Sequence, residues 1–489
     1  MQTVERPMTL RWALSAALAI AAIILVFLAI FLGVSARAYS RALDFRDEAW
    51  VDVVNFSASR INENHPLLLD SEVLVYTAEH FMNPDYYFVH LHQSDANEYR
   101  NFFNENLQNE FNNRIHNLAG RVPELNDREI LFGISGAASV LGDSSTSFNL
   151  PRGLFYPFDV VYIDGGFRVY RIISDYEHLL YSELVAINNI SMDEVMERLR
   201  AAVPHESEYM LISRLEESLH VRALLSYVDV YDDGLSFLNI FLGFFMDHWA
   251  DEVPSRFTFR DAAGNLHDVT LLTRSTFRGG SVLRESVSLW SESQLLMNAR
   301  PLENYWFEYF PLENMMYVRF RASAEMEGLS YLEFGEMLRD EIDDILQNRA
   351  SIEKFVIDLR GAGGTWPPPL YGAVEFLNNA AIDNVYILID NGTRAGGVVS
   401  AALLRQMVDN ALLIGEPAGH SPNFFGRPGN FRVPYNLPGN RARFTVSTAY
   451  WEIWLGYEGD TLMPDIRVSR NIDDHMNSRD TVIETIKSW

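Results

Sequence analysis

The 489-residue chain carries 39 Lys+Arg against 66 Asp+Glu, a formal net charge of −27, and no cysteine. Acidity of this size excludes a nucleic-acid binder, which needs a basic surface to neutralise phosphate. The missing thiols exclude a disulfide framework, thiolate zinc sites and a cysteine nucleophile.

A tail of residues 1–11 precedes Trp12 to Ala36, an uncharged run of 25 residues. As a helix it would reach about 37 Å, enough for a bilayer core of about 30 Å. A cleaved signal peptide is the alternative, with Val34-Ser35-Ala36 as its small-residue site. Its apolar region would be only about 7–15 residues, however. The expectation is an uncleaved, single-pass anchor. Arginines flank the run on both sides (Arg6 and Arg11, then Arg37, Arg41 and Arg46), so charge does not fix its orientation. The long portion that follows is expected outside the cytoplasm.

Residues 37–130 read as a helical, polar-aromatic region, and 131–315 as a mixed α+β region. Within the latter, Arg168–Ile173 and Leu184–Ile187 read as strands. Met192–Leu199 starts a helix behind Ser191, a residue suited to the N-cap. Leu235–Met246 is apolar but too short to span a bilayer, and suits a buried or surface-docked segment. Arg256–Leu272 alternates about Ala263-Gly264-Asn265, the pattern of a hairpin. No spacing of His, Asp and Glu, including His90 and His92, fits a metal site, and no cofactor is expected.

From Met316 strands and helices alternate. Tyr317–Phe320, Phe355–Leu359, Val385–Ile389 and Ala411–Ile414 read as strands. Leu338, Ile342 and Ile345 lie at helical spacing, and Leu370–Leu377 and Gly397–Met407 suit helices. Residues 316–489 are therefore expected to be an α/β domain. The loop Arg360-Gly361-Ala362-Gly363-Gly364 ends one strand, where glycines let backbone N–H groups face an anion or an oxyanion. A tight turn without a ligand remains the alternative.

Four segments then follow in order: IDLRGAGG, VYILIDNGTRAGG, NALLIGEPAG, and FTVSTAYW with LMPDIRV behind it. Upstream lie Leu141–Thr146 (LGDSST) and Tyr181–Ile190 (YSELVAINNI). Their joint order resembles the tail-specific (C-terminal-processing, tricorn-core-like) serine peptidase family. The resemblance implies a crotonase/ClpP-like superhelical α/β core that binds an extended peptide, often a protein C-terminus. It also implies that 131–315 contains a cap or a degenerate PDZ-like part.

The catalytic positions depart from that family's pattern. Ala395, Gly396 and Gly397 follow Thr393 where the nucleophilic serine belongs, and Ser145 stands where the family has its histidine. The loop after Gly-Glu-Pro holds His420 and no lysine, and the two lysines of the chain, Lys354 and Lys487, lie elsewhere. A serine without a nearby base is a poor nucleophile, so an inactive, peptide-binding homologue is expected. The alternative is an active peptidase with a relocated pair, Ser400 and His420, and with Ser144 orienting the histidine. In either case Gly363, Gly364 and Gly397 are the expected N–H donors to a carbonyl or carboxylate.

Overall fold

The computed structural model describes residues 45–79, 98–149, 154–220, 254–275, 286–288, 295–300, 302–322, 325–348, 351–364, 374, 376–378, 381–434 and 442–489. Among these residues no helix is long and apolar enough to cross a membrane. The Trp12–Ala36 run, His90, His92 and the Leu235–Met246 segment lie outside them.

The C-terminal half is built on a six-stranded sheet. Its order is Tyr305–Phe310, Met315–Phe320, Ile352–Asp358, Ile382–Ile389, Ala411–Gly415 and Ile466–Arg467. The first pair is antiparallel and the rest are parallel. Parallel strands covered on both faces need apolar residues at successive positions, and FVID and YILI supply them. The period of two then divides these residues between two cores. Phe355, Ile357, Val385 and Ile387 pack on one face, with Phe334, Ile342 and Val399 from the helices Tyr331–Asn348 and Gly396–Met407. Val356, Tyr386 and Leu388 pack on the other, under Val482, Ile483 and Ile486 of the C-terminal helix Thr481–Lys487.

A second body is a seven-stranded sheet with its own core. It contains Phe158–Ile163, Gly166–Ile173, Glu183–Ile187 and the hairpin Pro254–Arg260 with Leu266–Leu272. Helices Met192–Ala202 and Glu208–Glu216 cover it, the first capped by Ser191 as its sequence predicts.

Residues 37–130 are not all helical. A helix over 45–64 and another at Glu105–Arg121 enclose two strands, Glu72–Thr77 and Glu98–Asn101. Glu72–Thr77 lies parallel to Ala449–Glu452, so the N-terminal region is woven into the C-terminal half. Likewise Ser147–Asn149 pairs with Arg443–Val446. Both pairings join residues on opposite sides of position 315, and the first also crosses position 130.

Candidate functional site

Parallel strands in an open α/β sheet direct their functional loops to their C-terminal ends. Here Ile352–Asp358, Ile382–Ile389 and Ala411–Gly415 end at three neighbouring loops: 359–364, 390–395 and 416–422. Asp390 ties the first two together, since its Oδ1 accepts from Gly361 N–H at 2.7 Å and from Gly392 N–H at 3.0 Å. Thr393, fully buried, donates its hydroxyl to Leu359 O at 2.9 Å. Gly419 N–H reaches Thr393 O at 3.0 Å and fixes the third loop.

Ala395 sits at the convergence. It immediately precedes the helix Gly396–Met407 and has φ 45° and ψ −116°. Such backbone costs a residue with a Cβ about 1–3 kcal/mol and persists only where its surroundings enforce it. They do so here. Arg394 N–H donates to Ala362 O at 2.9 Å, Gly396 N–H to Gly364 O at 3.0 Å, and Gly397 N–H to Arg394 O at 2.9 Å. The result is a sharp strand-to-helix turn with residue 395 at its apex.

These bonds correct the expectation for Gly397. Gly396 and Gly397 spend their N–H groups inside the chain and do not offer them to a ligand. Gly397 is needed for space instead, because a Cβ there would lie 2.5 Å from Ala362 O. Gly364 contributes its carbonyl to the turn, and Gly363 forms a bridge to Ala322.

His420 faces the apex. Its Nδ1 accepts the Ala395 N–H at 2.9 Å. Its Nε2 lies 2.9 Å from both Ser144 Oγ and Glu206 Oε1. A nitrogen that accepts from an amide carries no proton, so the neutral ring bears its hydrogen on Nε2 and donates it toward Ser144 and Glu206. Glu206 is anchored in turn, accepting Ser144 N–H at 3.0 Å and Ser144 O–H at 3.2 Å. Phe424 stacks on the ring at 4.7 Å. Both His420 and Ser144 are buried, at 4% and 1% exposure.

The proposed Ser400–His420 pair has no hydrogen bond in this arrangement. Ser400 is 1% exposed, one turn into the helix, and donates to Gly396 O at 2.9 Å, the carbonyl four residues back. Helical geometry explains this, since a serine at that depth has its own backbone within reach. Ser145 is partly exposed, and its N–H donates to Asp143 Oδ1 at 2.9 Å. Asp143 also meets His65 Nε2 at 3.1 Å. Burial pushes the Asp143 carboxyl up, but the His65 bond and charge overcome this and hold it below the usual carboxylate range.

The seven-stranded body supplies the roof. Ser207 Oγ donates to Gly419 O at 2.9 Å, and Arg214 Nη2 to Ser144 O at 2.9 Å. Glu216 accepts from Asn391 Nδ2 at 3.0 Å, and Glu217 pairs with Arg394. Glu206 was missed by sequence reasoning; it lies between His205 and the N-cap Ser207, without periodicity or motif. Glu416 holds the third loop through Arg470, at 3.0 Å, and Glu452 pairs with Arg100. Among the described residues no group of His, Asp and Glu could hold a metal ion.

No protein-family model matches the sequence, and no curated protein matches it. Solved structures do. The S499A mutant of CPAF superposes with a TM-score of 0.54 at 10% identity, covering 89% of this chain and 95% of that one. Mature CPAF complexed with lactacystin gives the same TM-score and identity, covering 91% and 98%. The tricorn protease matches more loosely, with a TM-score of 0.36 at 12% identity over 90% of this chain and 36% of that one. At this identity the likeness is one of fold. The chain has a mixed α/β, peptidase-related fold.

Proposed function

We propose that the chain is a membrane-anchored tail-specific peptidase homologue that binds peptides or protein C-termini without cutting them. One observation carries this reading: the strained apex of the turn, where an acyl-transfer enzyme of this architecture needs its nucleophile, is Ala395. A methyl group cannot attack a carbonyl. The N–H groups of Gly396 and Gly397 are bonded within the chain, which leaves the glycine loop at Gly363 and Gly364 as the donors to a bound carbonyl or carboxylate. The apolar Trp12–Ala36 run supports the anchor, and the net charge of −27 supports a partner other than a polyanion.

The test uses the full chain in detergent. Exposure to a fluorophosphonate probe and to lactacystin, followed by peptide mapping, is expected to give no adduct. In parallel, peptides with free C-terminal carboxylates are expected to bind more tightly than their amidated counterparts. A stoichiometric adduct on Ser400, lost in Ser400→Ala, would establish the active alternative. Equal, negligible binding of both peptide sets would remove the ligand half of the reading.

A further inference from the structure

Around Ala395 the arrangement lacks one atom of a catalytic triad, a γ oxygen or sulfur. A triad needs a nucleophile, a ring nitrogen free to take its proton, and a carboxylate on the other ring nitrogen that fixes the tautomer and steadies the cation. His420 Nδ1 carries no proton and accepts the Ala395 N–H at 2.9 Å, a bond it must release before it takes a proton, and Nε2 lies 2.9 Å from the Glu206 carboxylate. We infer that His420 and Glu206 are the base and orienting carboxylate of a triad aimed at position 395, with the carboxylate supplied by the seven-stranded body. This rests on the reading of the chain as a peptidase fold silenced at its nucleophile.

Three features carry the assignment. The Ala395 Cβ branches from the atom next to the amide nitrogen that already touches Nδ1, so a γ atom in a rotamer gauche to that nitrogen would lie on the ring's side of the residue. Glu206 is not a loose surface acid: Ser144 holds both its oxygens, through N–H at 3.0 Å and O–H at 3.2 Å. The turn also retains φ 45° at a residue whose methyl group gains nothing from it. Backbone strain of this kind is a feature of catalytic turns. Ser144 is the remaining hydroxyl at His420, but it lies on the protonated nitrogen and donates to Glu206, so the imidazole is not the acceptor of its proton.

The native chain contains no thiol, so Ala395→Cys installs a single reporter. In that variant the residue-395 N–H leaves Nδ1 and the S–H proton takes its place, giving a thiolate beside an imidazolium. The thiolate then displaces iodide from iodoacetamide, forming a C–S bond as the C–I bond breaks. Alkylation rates of the full chain between pH 5 and 9 read this directly, because an isolated thiol ionises near pH 8.5 while one paired with histidine reacts at lower pH. The midpoint for Ala395→Cys is expected about one pH unit or more below that of Ala395→Cys/His420→Gln, with Ala395→Cys/Glu206→Gln between them. Superimposed profiles for the first two would overturn the inference, since a merely structural histidine leaves the midpoint unmoved.

A measurement on the unsubstituted chain guards against misfolded variants. Nitrogen-15 NMR of the His420 ring is expected to show the proton on Nε2, with shifts that change in Glu206→Gln. A proton on Nδ1 would overturn the assignment. An adduct on the unsubstituted chain, by contrast, would sink the inactive reading and leave the thiol profiles as they are.

Discussion

Arg360 grips Asp480 through two parallel bonds, Nη1 to Oδ1 at 2.9 Å and Nη2 to Oδ2 at 2.8 Å. The same buried guanidinium faces Asp358 at the end of its strand, so one cation joins the glycine loop to the C-terminal helix. Asp480 also caps that helix by accepting from Val482 and Ile483 N–H. Asp480→Ala leaves a fully buried guanidinium with one of its two carboxylates. Breaking a buried pair from one side costs about 3–5 kcal/mol. Urea unfolding followed by intrinsic tryptophan fluorescence should show a loss of that order. A loss below about 1 kcal/mol, the scale of an exposed pair, would contradict the buried geometry.

Glu216 gives the fold a pH dependence of predictable sign. Burial pushes its carboxyl up from an ordinary 4.5 to about 7, against the opposing charge of Arg470 and the bond from Tyr162 N–H. A carboxyl that holds its proton more tightly when folded contributes stability below about pH 4.5, and that contribution disappears as pH rises through 7. Glu216 is only half-buried, so solvent screening reduces the effect to about 1–2 kcal/mol. The stability of Glu216→Gln relative to the unsubstituted chain should therefore rise by that amount between pH 5 and pH 8. Any constant offset from the amide facing Asn391 cancels in this difference. A flat difference would show that the carboxylate is solvated.

The two kinds of sequence signal fared differently for physical reasons. The alternating strands of the C-terminal half and the helix before Met407 were legible because their periodicity is local and their apolar runs are buried on both faces. Glu72–Thr77 was not, although its V-L-V-Y core has strand character, because its neighbour Ala449–Glu452 is distant in sequence and the surrounding helices dominate the pattern. At the site, motif order alone pointed to Ala395, which stands at the apex of the turn. Glu206 could not, since its role exists only once the roof closes over His420. Ser400 already lay one turn inside the helix expected over Gly397–Met407; what sequence does not show is that its hydroxyl is buried and bonded to Gly396 O.

Two glycines test how tightly the loops are fitted. A Cβ at Gly397 would stand 2.5 Å from Ala362 O, the carbonyl that accepts Arg394 N–H. At Gly415, with φ 121°, it would stand 2.3 Å from Ile389 O. Neither neighbour is the free end of a side chain, so backbone must move. Overpacking of this kind costs about 1–3 kcal/mol, and Gly415→Ala adds backbone strain at its positive φ. Both variants should lower the urea midpoint, Gly415→Ala more than Gly397→Ala. Only the Gly397 change should also raise hydrogen exchange across Ala395–Gly397.

Ser400→Ala separates a helix-packing serine from a nucleophile. The hydroxyl donates to Gly396 O, a carbonyl at the start of the helix, and the residue is surrounded by buried Val399, Ala401 and Ala402. Removing the hydroxyl deletes one donor and strands no buried N–H. The net worth of such a bond is about 0.5–1.5 kcal/mol, and alanine recovers part of it through its better helix propensity. Stability should therefore change by less than about 1 kcal/mol. The exchange of the Ala395 amide, which is bonded to His420 and not to Ser400, should stay within about twofold of the unsubstituted chain, a difference of only about 0.4 kcal/mol. His420→Gln is expected to raise that exchange at least tenfold by removing the acceptor. A larger response to Ser400→Ala than to His420→Gln would return Ser400 to the centre of the site.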